Sequence, residues 1–142
     1  MRPIRLHWPA LVIAMLASFL FDAAWFSFFL KAWLAGIGRT MEWLMSQPHI
    51  TPPIQYAVAL LSSFVTATIL SVSIQASGEQ TLLRGIKVGA ILWFGFIATT
   101  LATNYIFEIR PLSLYAINTG YSLVDLMLMG AIVGAWKGKR KA

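Results

Sequence analysis

The chain has no cysteine among its 142 residues. That excludes disulfides, thiolate nucleophiles, iron–sulfur clusters and Cys-ligated zinc, and leaves the compartment open. Histidine is nearly absent as well. His7 opens the first apolar run and His49 falls in a loop, so the usual axial ligand of an intramembrane haem is missing and no Ser–His–Asp set can be drawn. Charge is scarce: 11% of residues are Asp, Glu, Lys or Arg, where a soluble domain carries about 25%. There is no metal-ligand spacing and no glycine-rich phosphate loop. No catalytic residue, no metal and no cofactor is assigned from the sequence.

What fills the chain is apolar. Hydrophobic residues make up 58% and aromatics 13%. A soluble domain of this size has too few polar groups here to cover its surface, so lipid is the expected solvent. A spanning helix takes roughly 20 residues, which limits the chain to four or five. Four runs fit, at about residues 8–31, 54–76, 84–107 and 112–136. The expected fold is all-α, a polytopic membrane protein forming one four-helix transmembrane domain over 1–142.

The first run follows a short basic leader and superficially resembles a signal peptide. Its apolar character continues past Asp22 through Trp25 to Leu30, long enough to span, so a retained anchor is expected. Pro9 suits a first helical turn. Between the first two runs, Gly36 and Gly38 are read as helix breakers. Thr40 caps a short amphipathic segment to Met45, which would lie at the interface. Pro48, Pro52 and Pro53 then end it.

The formal net charge is +6. The basic residues sit in the short segments between apolar runs, with no basic helix and no aromatic-interleaved patch. They are read as topology signals and contacts to anionic lipid, and nucleic acid is not an expected partner. Arg2, Arg5, Arg84, Lys87, Lys137, Lys139, Arg140 and Lys141 fall on one side of four threaded spans. Lys31, Arg39 and Arg110 fall on the other. Eight against three places both termini in the cytoplasm, as in a bacterial inner membrane protein. Trp8, Trp33, Trp43 and Trp136 lie near the boundaries, where an aromatic belt belongs.

Threading also fixes depth. Asp22 falls near the middle of the first helix and Asp125 near the middle of the fourth. An ionisable group in hydrocarbon is costly and calls for a named partner; each of these two is the natural partner of the other. The plain alternative is a neutral carboxyl bonded to a Ser or Tyr of a neighbouring helix. Asn118, Tyr121, Ser122 and Asp125 are spaced i, i+3, i+4, i+7 and share one helical face. Thr100, Thr103 and Asn104 make a similar face on the third helix, running on to Glu108. An outward-facing polar cleft between these stripes is expected, with Asp22, Asn104, Glu108, Arg110, Asn118, Tyr121 and Asp125 as its ligand-binding residues. For Glu108 and Arg110 the plain reading is an exposed ion pair beside the turn.

Two further patterns read as packing. Gly85 and Gly89 on the third helix, with Gly130 and Gly134 (continuing to Gly138) on the fourth, form GxxxG steps at one depth. Such steps favour a tight helix crossing, within the chain or between subunits. The second run is rich in Ser and Thr, which membrane helices tolerate by bonding carbonyls one turn back. Trp25, Phe26, Phe28 and Phe29 are read as lipid-facing or packing residues in preference to a cage for a cation.

Several segments together resemble a known family. They are Trp8-Pro9, Ala24-Trp25-Phe26-Ser27, Lys31-Ala32-Trp33, Phe107 to Leu112, Ile117 to Tyr121 and Gly130 to Trp136. The chain resembles the DUF1761 family of small bacterial integral membrane proteins. It departs from the pattern at Phe26, where Tyr is expected, at Ile109, where Gly is expected, and at Asp125, where an apolar residue is expected. The resemblance implies a four-helix membrane protein and carries no catalytic residue with it.

Three functions compete. The first is a non-enzymatic protein that binds or passes a small polar solute, ion or lipid headgroup through the cleft. One chain is too short for an alternating-access carrier of two repeats, so a homo-oligomer would be needed. The second is a structural or accessory subunit of a larger membrane complex. The third, least favoured for want of a nucleophile–base pair, is a membrane enzyme using Glu108, Asp125, Asn118 and Tyr121.

Overall fold

The structure is a computed structural model that describes residues 3–47 and 52–136. Pro48, His49, Arg2 and the basic residues after Trp136, together with Gly138, lie outside the described residues. The elements are α1 (Trp8–Ile37), α2 (Met41–Met45), α3 (Pro52–Ala76), α4 (Leu82–Leu92), a π-helical segment (Trp93–Ala98), α5 (Thr99–Phe107) and α6 (Leu112–Ala135). α4, the π segment and α5 run on as one helix, Leu82–Phe107. Four helices are therefore long and apolar enough to cross a membrane, and no strand occurs among the described residues.

The first span is longer than its sequence suggests. It passes Lys31 and Gly36 and stops only at Gly38, whose φ of 67° is left-handed. The Gly38 and Arg39 amides close the end by donating to Ala35 and Leu34 carbonyls at 3.1 and 3.0 Å. Gly36 remains helical because Leu114 of the fourth span packs on it; a Cβ there would lie 3.0 Å from Leu114 Cβ. Thirty residues make about 45 Å of helix, more than the hydrocarbon thickness of about 30 Å. α2 follows at once, capped by the Thr40 hydroxyl, which accepts from the Trp43 amide at 3.2 Å. Thr81 caps the third span in the same way, accepting from the Arg84 amide at 3.2 Å, so that span begins two residues before its expected start at 84.

The fourth span is the axis of the bundle. It packs on the first, second and third spans, and the core is drawn from the first, second and fourth: Leu11, Ala14, Ala67, Leu70, Ile74, Leu126, Met129 and Val133. Its closest neighbour is the third span. Gly85 and Gly89 lie against Gly130 and the Leu126 carbonyl, and Gly134 against the Thr81 carbonyl. The GxxxG steps thus meet inside one chain.

Hydrogen bonds gather the segment before α1, the end of α6 and the turn between the second and third spans at one end of the bundle. Gln75 exchanges bonds with the Arg5 backbone at 2.9 and 3.0 Å. Gln80 donates to the Val133 carbonyl at 2.8 Å. Glu108 to Pro111 closes the far end, where Ile109 takes a φ of 54°.

Candidate functional site

The polar centre lies between the first and fourth spans at mid-length. Asp22 is half-buried in the middle of α1, and Asp125, buried with 7% of its surface exposed, is in the middle of α6. Tyr121 stands one turn from Asp125. Its hydroxyl lies close enough to both carboxyl groups to interact with each, and the two carboxyls are near enough to repel one another. Ser18, one turn before Asp22 and fully buried, neighbours Asp125 and Tyr121. Its hydroxyl also shares a 3.0 Å hydrogen bond with Ser63 of the second span. Three helices thus contribute oxygen to one place.

Aromatic packing holds Tyr121 there. Its ring stacks on Phe21 at 5.7 Å and lies 5.2 Å from Phe26 and 6.5 Å from Trp25. Trp25 is anchored in turn by its indole N–H, which donates to the Ile117 carbonyl at 3.2 Å. Trp25 and Phe26 are therefore packing residues that position the tyrosine, while Phe28 is 82% exposed on the outside of the bundle.

Among the described residues the carboxyls have no cationic partner, and the one ion pair joins Glu108 to Arg110, at the far end of the bundle. Asp125 Oδ1 is buried and no described group donates an aligned hydrogen bond to it. Buried carboxylate oxygen without a donor is expensive, and nearly all buried polar groups in proteins are satisfied. No three His, Cys, Asp or Glu side chains gather among the described residues.

The expected site residues do not all converge. Asp22, Tyr121 and Asp125 are brought together. Asn118 turns to the third span, where its amide donates to the Tyr105 hydroxyl. Ser122 bonds back to the Asn118 and Thr119 carbonyls. The stripe on the fourth span is thus divided between two neighbours. Asn104 is exposed on the outer surface of the bundle with Thr100 and Thr103, away from the carboxyls. Glu108 and Arg110 are about half-exposed, and the Arg110 guanidinium lies over the Tyr105 ring at 5.4 Å.

Nor does the cleft have the expected lining. A groove of about 400 Å³ does open at the far end between the third and fourth spans, lined by Tyr105, Ile106, Ile109, Arg110, Leu112 and Tyr115 among others. Of the expected ligand residues it includes Arg110, and neither aspartate lines it. The carboxyls instead sit inside packed helices, because the second polar wall, on the third span, faces outward. Ser18 and Ser63 were missed as members of the centre. The signal for Ser18 was present: it precedes Asp22 by four residues, which is one helical face.

Fold and centre together define a small polytopic helical membrane protein with an uncompensated carboxyl pair at mid-span. Residues 9–134 match the model of a family described as "Protein of unknown function (DUF1761)". The chain belongs to that family. No curated protein and no solved structure matches it.

Proposed function

We propose that this is a non-enzymatic integral membrane protein, of the bacterial inner membrane with both termini cytoplasmic, that binds or passes a small polar solute or ion at the Asp22–Tyr121–Asp125 centre. The observation that carries the reading is the buried Asp125 oxygen that receives no aligned hydrogen bond, beside a second carboxyl and, among the described residues, with no basic side chain paired to either. Intramembrane carboxyls are rare because they are costly, and they mark solute and ion pathways. The topology rests on the basic residues, eight against three. A single chain of four spans offers no second repeat, so passage would take a homo-oligomer.

Proteoliposomes loaded with a pH-sensitive dye and made proton-permeable with a protonophore, so that cation entry is balanced by proton exit, test the reading. Imposed gradients of sodium, potassium or methylammonium chloride should drive a flux that is lost in Asp22→Asn and in Asp125→Asn. Equal flux in wild type and both variants would refute it.

One observation favours a second reading, an accessory subunit of a membrane complex. Thr99, Thr100, Thr103 and Asn104 form an exposed polar face on a helix apolar enough to span. Thr99 and Thr103 soften this by donating back to the Gly95 and Thr99 carbonyls at 2.9 and 3.1 Å, but Asn104 has no such bond among the described residues. Polar side chains on spanning helices usually face protein. A cysteine at position 104 should then cross-link to a partner in native membranes.

A further inference from the structure

We infer that the Asp22–Asp125 pair is the binding site of a single small alkali cation, of sodium size or smaller. This deepens the function proposed above and rests on it for the choice of site.

The argument begins with charge. Two carboxyls at mid-span interact with one another and, among the described residues, with no basic side chain. Helix packing supplies no offset: the fourth span contributes Tyr121, the second span Ser63, and the titratable groups of the third span lie toward its ends, at Arg84, Lys87, Tyr105 and Glu108. A positive charge therefore has to come from outside these helices.

Ligand chemistry narrows which charge. The atoms around the pair are all hard oxygens, from two carboxyls and the Ser18 and Tyr121 hydroxyls. That set disfavours copper, zinc and other softer metals, which prefer thiolate or imidazole. Calcium takes about six to eight oxygens, and magnesium keeps several waters in an octahedron. Two carboxyls and two hydroxyls offer at most six oxygens, the lower bound for calcium, and the Ser18 hydroxyl is already shared with Ser63. A monovalent ion needs less charge and fewer ligands.

Space narrows it further. None of the three grooves described, of about 400, 310 and 300 Å³, is lined by Asp22 or Asp125. The aromatic side chains nearby pack on Tyr121 and on each other, which leaves no open cage for an organic cation. A bare ion fits where a drug-sized cation does not. The buried Asp125 Oδ1, unpartnered among the described residues, is the atom that would meet it first.

The test is binding, and it is independent of flux. Purified full-length protein in detergent is heated at fixed ionic strength with sodium, lithium, potassium or choline chloride. Sodium or lithium should raise Tm by about 5 °C over choline at saturation, with potassium weaker. In Asp125→Asn the rise should vanish. In Tyr121→Phe, which keeps the ring packing, the half-saturating sodium concentration should increase about tenfold. No difference between sodium and choline would overturn the inference and leave protons as the only counter-charge. A rise equal in wild type and Asp125→Asn would overturn it as a general salt effect, and a response to calcium alone would overturn it as well. Should Asp125→Asn not fold, the Tyr121→Phe shift and the sodium–choline difference still decide. Sodium binding without liposome flux would remove passage from the proposed function and leave this site standing. A carboxyl-dependent flux with no alkali-specific Tm shift would do the reverse.

Discussion

Gly85 and Gly130 pack backbone on backbone, so that a Cβ placed on either would run into the carbonyl oxygen of the other. Neither obstacle is a flexible side chain; each is part of a helix. Gly85→Leu or Gly130→Leu should therefore separate the third and fourth spans and cost at least about 3 kcal/mol. Gly95 is the internal control, with nothing within 4 Å of an added Cβ. Gly95→Ala should change stability by less than about 1 kcal/mol. Thermal unfolding of the three variants in one detergent, followed by tryptophan fluorescence, separates these outcomes. Equal losses would mean that the crossing is not what holds the spans together.

At the far turn, Ile109 occupies a position built for glycine. Its φ is 54°, the Arg110 amide donates to the Tyr105 carbonyl at 2.9 Å, and the Ile109 amide donates to the Ile106 carbonyl at 3.2 Å. This is a helix end closed around a left-handed residue. A left-handed L-residue costs about 1–2 kcal/mol, and the isoleucine side chain, 91% exposed, recovers little by packing. Ile109→Gly should stabilise the protein by about 1 kcal/mol after the extra backbone entropy of glycine is deducted. An unchanged or lower Tm would show that the exposed side chain finds a surface beyond this chain.

The contrast between these residues explains what was legible in the sequence. Spans, caps and glycine steps follow from composition and spacing along one helix. The common depth of Asp22 and Asp125 was readable as well, because depth is fixed by counting residues from the membrane edge. Rotation about the helix axis was not. Asn104 and Asn118 sit on polar stripes of neighbouring helices, yet Asn118 reaches Tyr105 while Asn104 faces outward. The sequence of the third span also hides the π segment at Trp93–Ala98, whose additional residue per turn shifts the phase of everything after it, the Thr100–Asn104 stripe included. A stripe read at 3.6 residues per turn then points the wrong way.

That π segment is tied to the fourth span at both ends. The Trp93 indole donates to the Thr119 carbonyl at 2.8 Å and the Tyr115 hydroxyl to the Ala98 carbonyl at 2.9 Å. The Ala98 carbonyl thus gains a donor from outside its own helix, while the Trp93 bond anchors a side chain of the segment to the fourth span. Tyr115→Phe and Trp93→Phe should each cost about 1 kcal/mol. Amide hydrogen exchange should accelerate over 93–98 more than over 99–107. Uniform acceleration along the third span would mean that these bonds hold the whole helix and not the π segment.

The Ser18–Ser63 bond decides how the polar centre is to be understood. The two hydroxyls lie 3.0 Å apart and Ser18 is fully enclosed. Hydrogen bonds between spans contribute only about 0.6 kcal/mol on average and at most about 1.7. A double-mutant cycle of Ser18→Ala and Ser63→Ala, read by reversible unfolding, should therefore return a coupling of about 0.6 kcal/mol, with both variants folded. A coupling well above 1.7 kcal/mol would make the centre a structural clasp, and the two aspartates would then need no ligand to account for them. The smaller value leaves the cost of burying the carboxyl pair without a structural offset from this bond, as the proposed ion site requires.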